Sequence, residues 1–297
     1  MGMNFGSIIN VGMIQSVATP SLEKNLTRTV QRCYLAAEQG AQIICTQELF
    51  RSFYPCREEN PDFFDWAETI PGPSTEALSE VAREKEVVII ASLFERRTQG
   101  LYHNTAAVID ADGSLLGTYR KMHIPDDPGY YEKFYFTPGD QGFKAFQTQY
   151  AKIGVLICWD QWFPEAARLT ALQGAEILFY PTAIGWAAKE KLEIRQAQHN
   201  AWETIQRAHA IANGVFVVSV NRAGIEGHTE FWGQSFVSDP FGEIIEKTSP
   251  DEEEIITVAC DVSEIETTRR NWPFLRDRRV ENYAGLDQRF LDAPGPV

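Results

Sequence analysis

Cys158 stands in "KIGVLICWDQWFPEAAR", residues 152–168, between an apolar run and two tryptophans. A thiol attacks as its thiolate, and with an ordinary pKa of about 8.5 it needs a base or a cation beside it. Free cysteine is also among the most buried residue types, so an inert core thiol is the plain alternative. Histidine is the usual activating partner. His103, His123, His199, His209 and His228 all lie outside any recognisable thiol-hydrolase context. A carboxylate is then an alternative base. Glu48, in "IICTQELF", follows an apolar strand just as Cys158 does. An acid placed there is either a surface charge or a paired, functional group. Lys121 follows the strand-like "GSLLGTYR", and Glu132 lies in the aromatic loop beyond it. An ammonium kept from water would stabilise a thiolate or an oxyanion, and the Trp159 backbone N–H could aim at the same oxygen. As plain surface charges, Lys121 would be solvated and Glu132 would pair with Lys133.

Several short apolar runs rich in Val and Ile would hold these residues. "IINVGMIQ", "AQIICTQ", "EVVIIASLF", "HNTAAVID", "AKIGVLI", "AEILFYP", "VFVVSVN", "QSFVSD", "GEIIEK" and "EIITVACD" read as strands. Helical patterns lie between them. Residues 21–39 begin at Ser21 as N-cap, with Leu22, Leu26, Val30, Cys33 and Ala37 on one stripe. Residues 74–86 offer Leu78, Val81 and Ala82. Residues 164–173 run from Pro164 to just before Gly174. Residues 190–213 put Ala201, Ile205, Ala208 and Ala212 on one face and stop at Gly214. Cys158 therefore falls in a strand–turn–helix, open to a cleft at a strand end. From about residue 215 the pattern is mostly β. The alternation predicts an α/β fold, with two sheets packed face to face and helices outside. No composition break divides residues 1–297, which read as one domain. The tail from about 270 is polar and aromatic; it either docks on a partner subunit or frays.

Composition narrows the function. With 41 acidic and 27 basic residues the net charge is −14, which argues against nucleic acid and suits a cationic small substrate. The five cysteines are widely spaced and form no C-x-x-C pair, so neither a disulfide framework nor a zinc site is expected. A reducing, cytoplasmic setting fits best. The N-terminus lacks a basic n-region before a long apolar stretch, and no apolar run would span a membrane. "GQSFV" lacks the closing glycine of a serine-hydrolase elbow.

"TQELF", "YRKMHIP" and "GVLICWDQWFPEAAR", in that order, resemble the three signature segments of the nitrilase superfamily of carbon–nitrogen hydrolases. The resemblance runs from "VGMIQ" to about "EIETTRR". It implies an α-β-β-α sandwich and a catalytic set of Glu48, Lys121 and Cys158, with Glu132 as the second glutamate. It also implies dimers that assemble further, and chemistry that needs no metal or organic cofactor. "HIPDDPGYYEKFYFTPGD", "CWDQWFPEAARLTALQGAEILFYPTAIGW" and "FWGQSFVSDPFGEII" are similar to the branch that hydrolyses N-carbamoylputrescine to putrescine, carbon dioxide and ammonia. The chain departs from that branch at Asp126-Asp127 and in "AAKEKLEIRQAQHN". The alternative is another carbamoyl or amide hydrolase, such as a β-ureidopropionase-like or N-carbamoyl-amino-acid amidase, whose pocket would call for an arginine. A cationic tail would need a carboxylate, for which Asp126, Asp127 and Glu190 are candidates. Tyr54, Tyr130, Trp159 and Trp186 would wall it, a cation–π contact adding about 1–2 kcal/mol.

Overall fold

The computed structural model describes residues 7–291. The first residues of the N-terminus and the Pro-Gly end of the tail lie outside that span. In chain order the elements are β1 (Ile8–Gln15), α1 (Leu22–Glu38), β2 (Ile43–Thr46), α2 (Pro73–Lys85), β3 (Val88–Thr98), β4 (Leu101–Ile109) and β5 (Leu115–Arg120). Then come α3 (Glu132–Tyr135), β6 (Ala145–Gln147), β7 (Lys152–Val155), α4 (Pro164–Leu172), β8 (Ile177–Thr182), β9 (Gly185–Ala187) and α5 (Leu192–Asn213). The rest are β10 (Phe216–Asn221), β11 (Ala223–Glu226), β12 (Thr229–Trp232), β13 (Phe236–Ser238), β14 (Ile244–Lys247), β15 (Glu254–Asp261) and α6 (Ser263–Asn271).

One sheet has the order β15-β1-β2-β3-β4-β5, and a second has the order β14-β13-β10-β8-β7-β6. The central pairs β1–β2, β2–β3, β7–β8 and β8–β10 are parallel. Such strands are covered on both faces, which is why they read as unbroken apolar runs. The pleat sorts their side chains. Met13, Ile43, Cys45, Val88 and Ile90 enter the core shared with β7, β8 and β10. Ile44, Ile89 and Ala91 point the other way, into a core with α1 and α2. α4 and α5 cover the second sheet, completing the α-β-β-α layering.

Three features differ from the sequence reading. The buried stripe of α1 is Asn25, Thr29, Cys33 and Ala36, with Leu22, Leu26, Val30 and Ala37 at its half-buried margins. Asn25 is drawn inward because its amide donates to the carbonyls of Thr19 and Arg51. α5 is turned by about one residue: Trp202, Gln206, His209 and Asn213 face inward, and Ala201 faces solvent. Last, the region after residue 215 is not all two-sheet β. β11, β12 and β9 form a separate three-stranded sheet, and α6 ends the folded body. Beyond it the described residues 272–291 make short helical turns and are largely exposed. Among the described residues no helix is long and apolar enough to cross a membrane.

Candidate active site

Three chain segments end at one place. β2 stops at Thr46, and Glu48 follows in a turn where Leu49 takes a positive φ of 49°. β5 stops at Arg120, directly before Lys121. β7 is followed by a short 3-10 turn, Cys158–Trp162, that leads into α4 at Pro164. Cys158 itself has φ of 41°, rare for a residue with a side chain. Glu132 opens α3 in the loop after Lys121.

Lys121 Nζ donates to Glu48 Oε1 at 2.8 Å and lies 2.8 Å from each oxygen of Glu132. All three residues are wholly buried. Asn104 Nδ2 also donates to Glu48 Oε1, at 2.7 Å, while Glu48 Oε2 has no hydrogen-bond partner. Glu48 thus keeps one carboxylate oxygen free to take a proton. Tyr54 donates its hydroxyl to Glu132 Oε1 at 2.6 Å. Cys158 sits at the edge of this cluster, its Sγ 3.9 Å from the Ala183 carbonyl.

Burial and charge set the protonation states. Burial would lower the Lys121 pKa, but Glu132 and Glu48 outweigh it and hold the ammonium well above its ordinary value. Burial and the Glu48 charge push the Cys158 thiol well up, and Lys121 opposes them. The group is therefore held as a thiol, and any attack by its sulfur would need a base to take the proton. Burial also raises the Glu132 carboxyl against the pull of Lys121.

Cys158 opens into a cavity of about 590 Å³. Trp159, Tyr130, Glu132, Asp127 and Glu190 line it. No arginine, lysine or histidine is among the described side chains on its wall. Asp126 is exposed and absent from this wall. Tyr54 lies behind the site, buried against Glu132. Trp186 faces a separate recess and donates its ring N–H to the Arg195 carbonyl. The sequence reading did not single out Asn104, which holds Glu48, or Gln198, which donates to Glu190 at 2.7 Å. A polar residue interrupting the start of the apolar run at 103–110 was the one hint of Asn104.

A two-sheet sandwich with acid, ammonium and thiol at the strand ends defines a hydrolase of the carbon–nitrogen class. The chain matches the family model "Carbon-nitrogen hydrolase" over residues 10–270 and belongs to that family. It is 45% identical to N-carbamoylputrescine amidase of Solanum lycopersicum over 300 residues, covering 98% of each chain. It is 40% identical to a citrullinase of Francisella tularensis, covering 95% of this chain and 99% of that one. The crystal structure of a carbon–nitrogen hydrolase from Helicobacter pylori G27 superposes with a TM-score of 0.93. That protein is 46% identical, and the match covers 96% of this chain and 100% of that one.

Proposed function

We propose that the protein hydrolyses N-carbamoylputrescine to putrescine, carbon dioxide and ammonia, a polyamine-forming step. The observation that carries this reading is a wall with carboxylates and no cation beside a buried Glu48–Lys121–Cys158 set. A ureido substrate with an ammonium tail suits such a wall. One ending in a carboxylate meets like charge and no partner. Glu190 and Asp127 receive the ammonium; Tyr130 and Trp159 flank the chain. The higher identity to the plant N-carbamoylputrescine amidase, 45% against 40% for the citrullinase, supports the same choice over citrulline.

In the reaction Glu48 Oε2 takes the thiol proton as Cys158 Sγ bonds to the ureido carbonyl carbon. Lys121 and the Trp159 N–H stabilise the oxyanion. The C–N bond breaks, and Glu48 gives its proton to the leaving nitrogen. Water then attacks the thioester-like carbonyl, Glu48 accepts the water proton, and the thiol is restored. The carbamic acid released falls to carbon dioxide and the second nitrogen product. Glu132 orients Lys121, and Tyr54 orients Glu132.

Ammonia release from a small panel tests the substrate. N-carbamoylputrescine should exceed citrulline and N-carbamoyl-β-alanine in kcat/KM by about 100-fold or more; the reverse ranking would refute the choice. Cys158→Ser should fold and lose turnover by about 10³-fold or more. Near-normal activity in that variant would end the nucleophile assignment.

The exposed apolar side chains Leu169 and Leu172 on α4, Leu192 and Ile194 on α5, and Phe290 and Leu291 in the tail support pairing of two copies. Light scattering that returned a monomer mass would reject it. Five buried free thiols suit the reducing cytoplasm.

A further inference from the structure

Asp160 lies two residues past Cys158 and is wholly buried. Its carboxylate meets four donor groups. Oδ2 accepts the Ile157 backbone N–H at 2.9 Å and the Tyr119 hydroxyl at 2.7 Å. Oδ1 accepts the His123 backbone N–H at 3.0 Å and lies 2.7 Å from His123 Nδ1. Tyr119 and His123 stand two residues before and after Lys121. Ile157 immediately precedes Cys158. One carboxylate therefore ties the segment bearing the ammonium to the segment bearing the sulfur. The His123 ring is held in turn, stacked flat on Phe163 with ring centres 3.6 Å apart.

The Cys158 backbone needs such a tie. A positive φ at a residue with a side chain is strained and persists only where its surroundings impose it. The bond from Ile157 N–H fixes the Leu156–Ile157 peptide, and the Asp160 backbone N–H holds the Ile157 carbonyl, in the peptide directly before Cys158, at 3.0 Å. Two of the four donors are backbone N–H groups, one on each oxygen, and neither can turn away. A carboxylate accepts both. A carboxamide has one oxygen, so it must leave one of these N–H groups facing an NH₂.

We propose that Asp160 is a positioning residue for the reaction: its carboxylate fixes the Cys158 thiol relative to the Lys121 ammonium by bonding the two backbone segments at once. The proposal rests on reading Cys158 as the nucleophile and Lys121 as its cationic partner. A mere turn cap in the same place would affect stability and leave the rates of the folded enzyme alone.

Asp160→Asn is the test, with Val88→Ala in the sheet core as a control for stability loss. The readouts are Tm, kcat, KM and the rate at which iodoacetamide labels Cys158 as pH is raised. Asp160→Asn should lower kcat by about tenfold or more with KM within about twofold. Cys158 labelling should slow and its midpoint should move to higher pH, because the displaced thiolate loses the neighbouring ammonium. Val88→Ala should lower Tm without either change. Wild-type labelling and kcat in folded Asp160→Asn, or a loss no larger than that of Val88→Ala, overturns the proposal. If Asp160→Asn yields no folded protein, Tyr119→Phe decides, since it strips a donor from the oxygen that holds Ile157. Labelling slowed by about threefold or more supports the tie, and a wild-type rate rejects it. Turnover surviving in Cys158→Ser would instead reject the nucleophile reading, a separate result.

Discussion

Lys121 holds two carboxylates, and each depends on it in return. Lys121→Met strands Glu48 and Glu132 in a buried site and should destabilise the fold by about 3–5 kcal/mol, measured by urea unfolding. It should also raise the Cys158 pKa further, since the ammonium is what lowers it. Iodoacetamide labelling in any folded fraction would then begin at higher pH. Asn104→Ala removes the second donor to Glu48 Oε1. It should reduce kcat by about 10–100-fold with little change in KM, by analogy with the loss of an orienting partner. Glu48, Lys121 and Cys158 could be singled out in the sequence because each follows a strand-like run inside one of three ordered motifs, and the structure brings Lys121 and Glu48 into contact. Asn104 and Gln198 were not, because an amide on a strand or helix has no spacing that distinguishes a ligand from a surface group. The pocket wall was legible by residue type only. Asp126 and Asp127 are adjacent and alike, and the backbone alone decides which one faces the cavity.

At the level of elements, strands were easier to read than helix faces. The strand runs match the observed bounds within a few residues, since burial on both faces leaves a continuous apolar stretch. The faces of α1 and α5 were misjudged because polar side chains occupy their buried sides. His209 Nε2 reaches the Gln161 carbonyl at 2.7 Å, and Asn213 donates back to the His209 carbonyl. Polar groups that find such partners can be buried, and they leave no mark in hydrophobic periodicity. Close packing behind Cys158 makes a sharper prediction. A Cβ on Gly154 of β7 would stand 2.3 Å from Thr170 Cγ2 on α4 and 2.8 Å from Leu178 Cδ2 on β8. Gly154→Ala should cost about 1–3 kcal/mol through overpacking, read as a lower urea midpoint at unchanged m. The turn after β2 has its own support. Arg222 donates to the carbonyls of Glu48, Leu49 and Ser52, and pairs with the buried Glu226. Glu226→Ala leaves that guanidinium uncompensated and should cost about 3–5 kcal/mol, with kcat falling alongside because Glu48 rides on the same turn.

Across the whole molecule, all five cysteines are buried and unpaired. Burial pushes Cys33 and Cys260 up to about 12, and pushes Cys45 and Cys56 well above their ordinary value. The folded state therefore keeps thiol protons that the unfolded chain releases once pH passes its ordinary thiol pKa. Protons are then bound more by the native state, so stability falls as pH rises between the unfolded and folded pKa values. Urea midpoints under reductant should drop from neutral to alkaline pH, and Cys33→Ala with Cys260→Ala should flatten that slope. The acid-lined cavity carries a consequence for turnover. Its walls were matched above to a guest with one ammonium, but the diamine left after hydrolysis carries two. A negatively charged chamber attracts the dication more strongly than the monocation, so putrescine should act as a competitive brake. Chains of three to five carbons between the amines should inhibit in proportion to their fit, and added salt should release the brake.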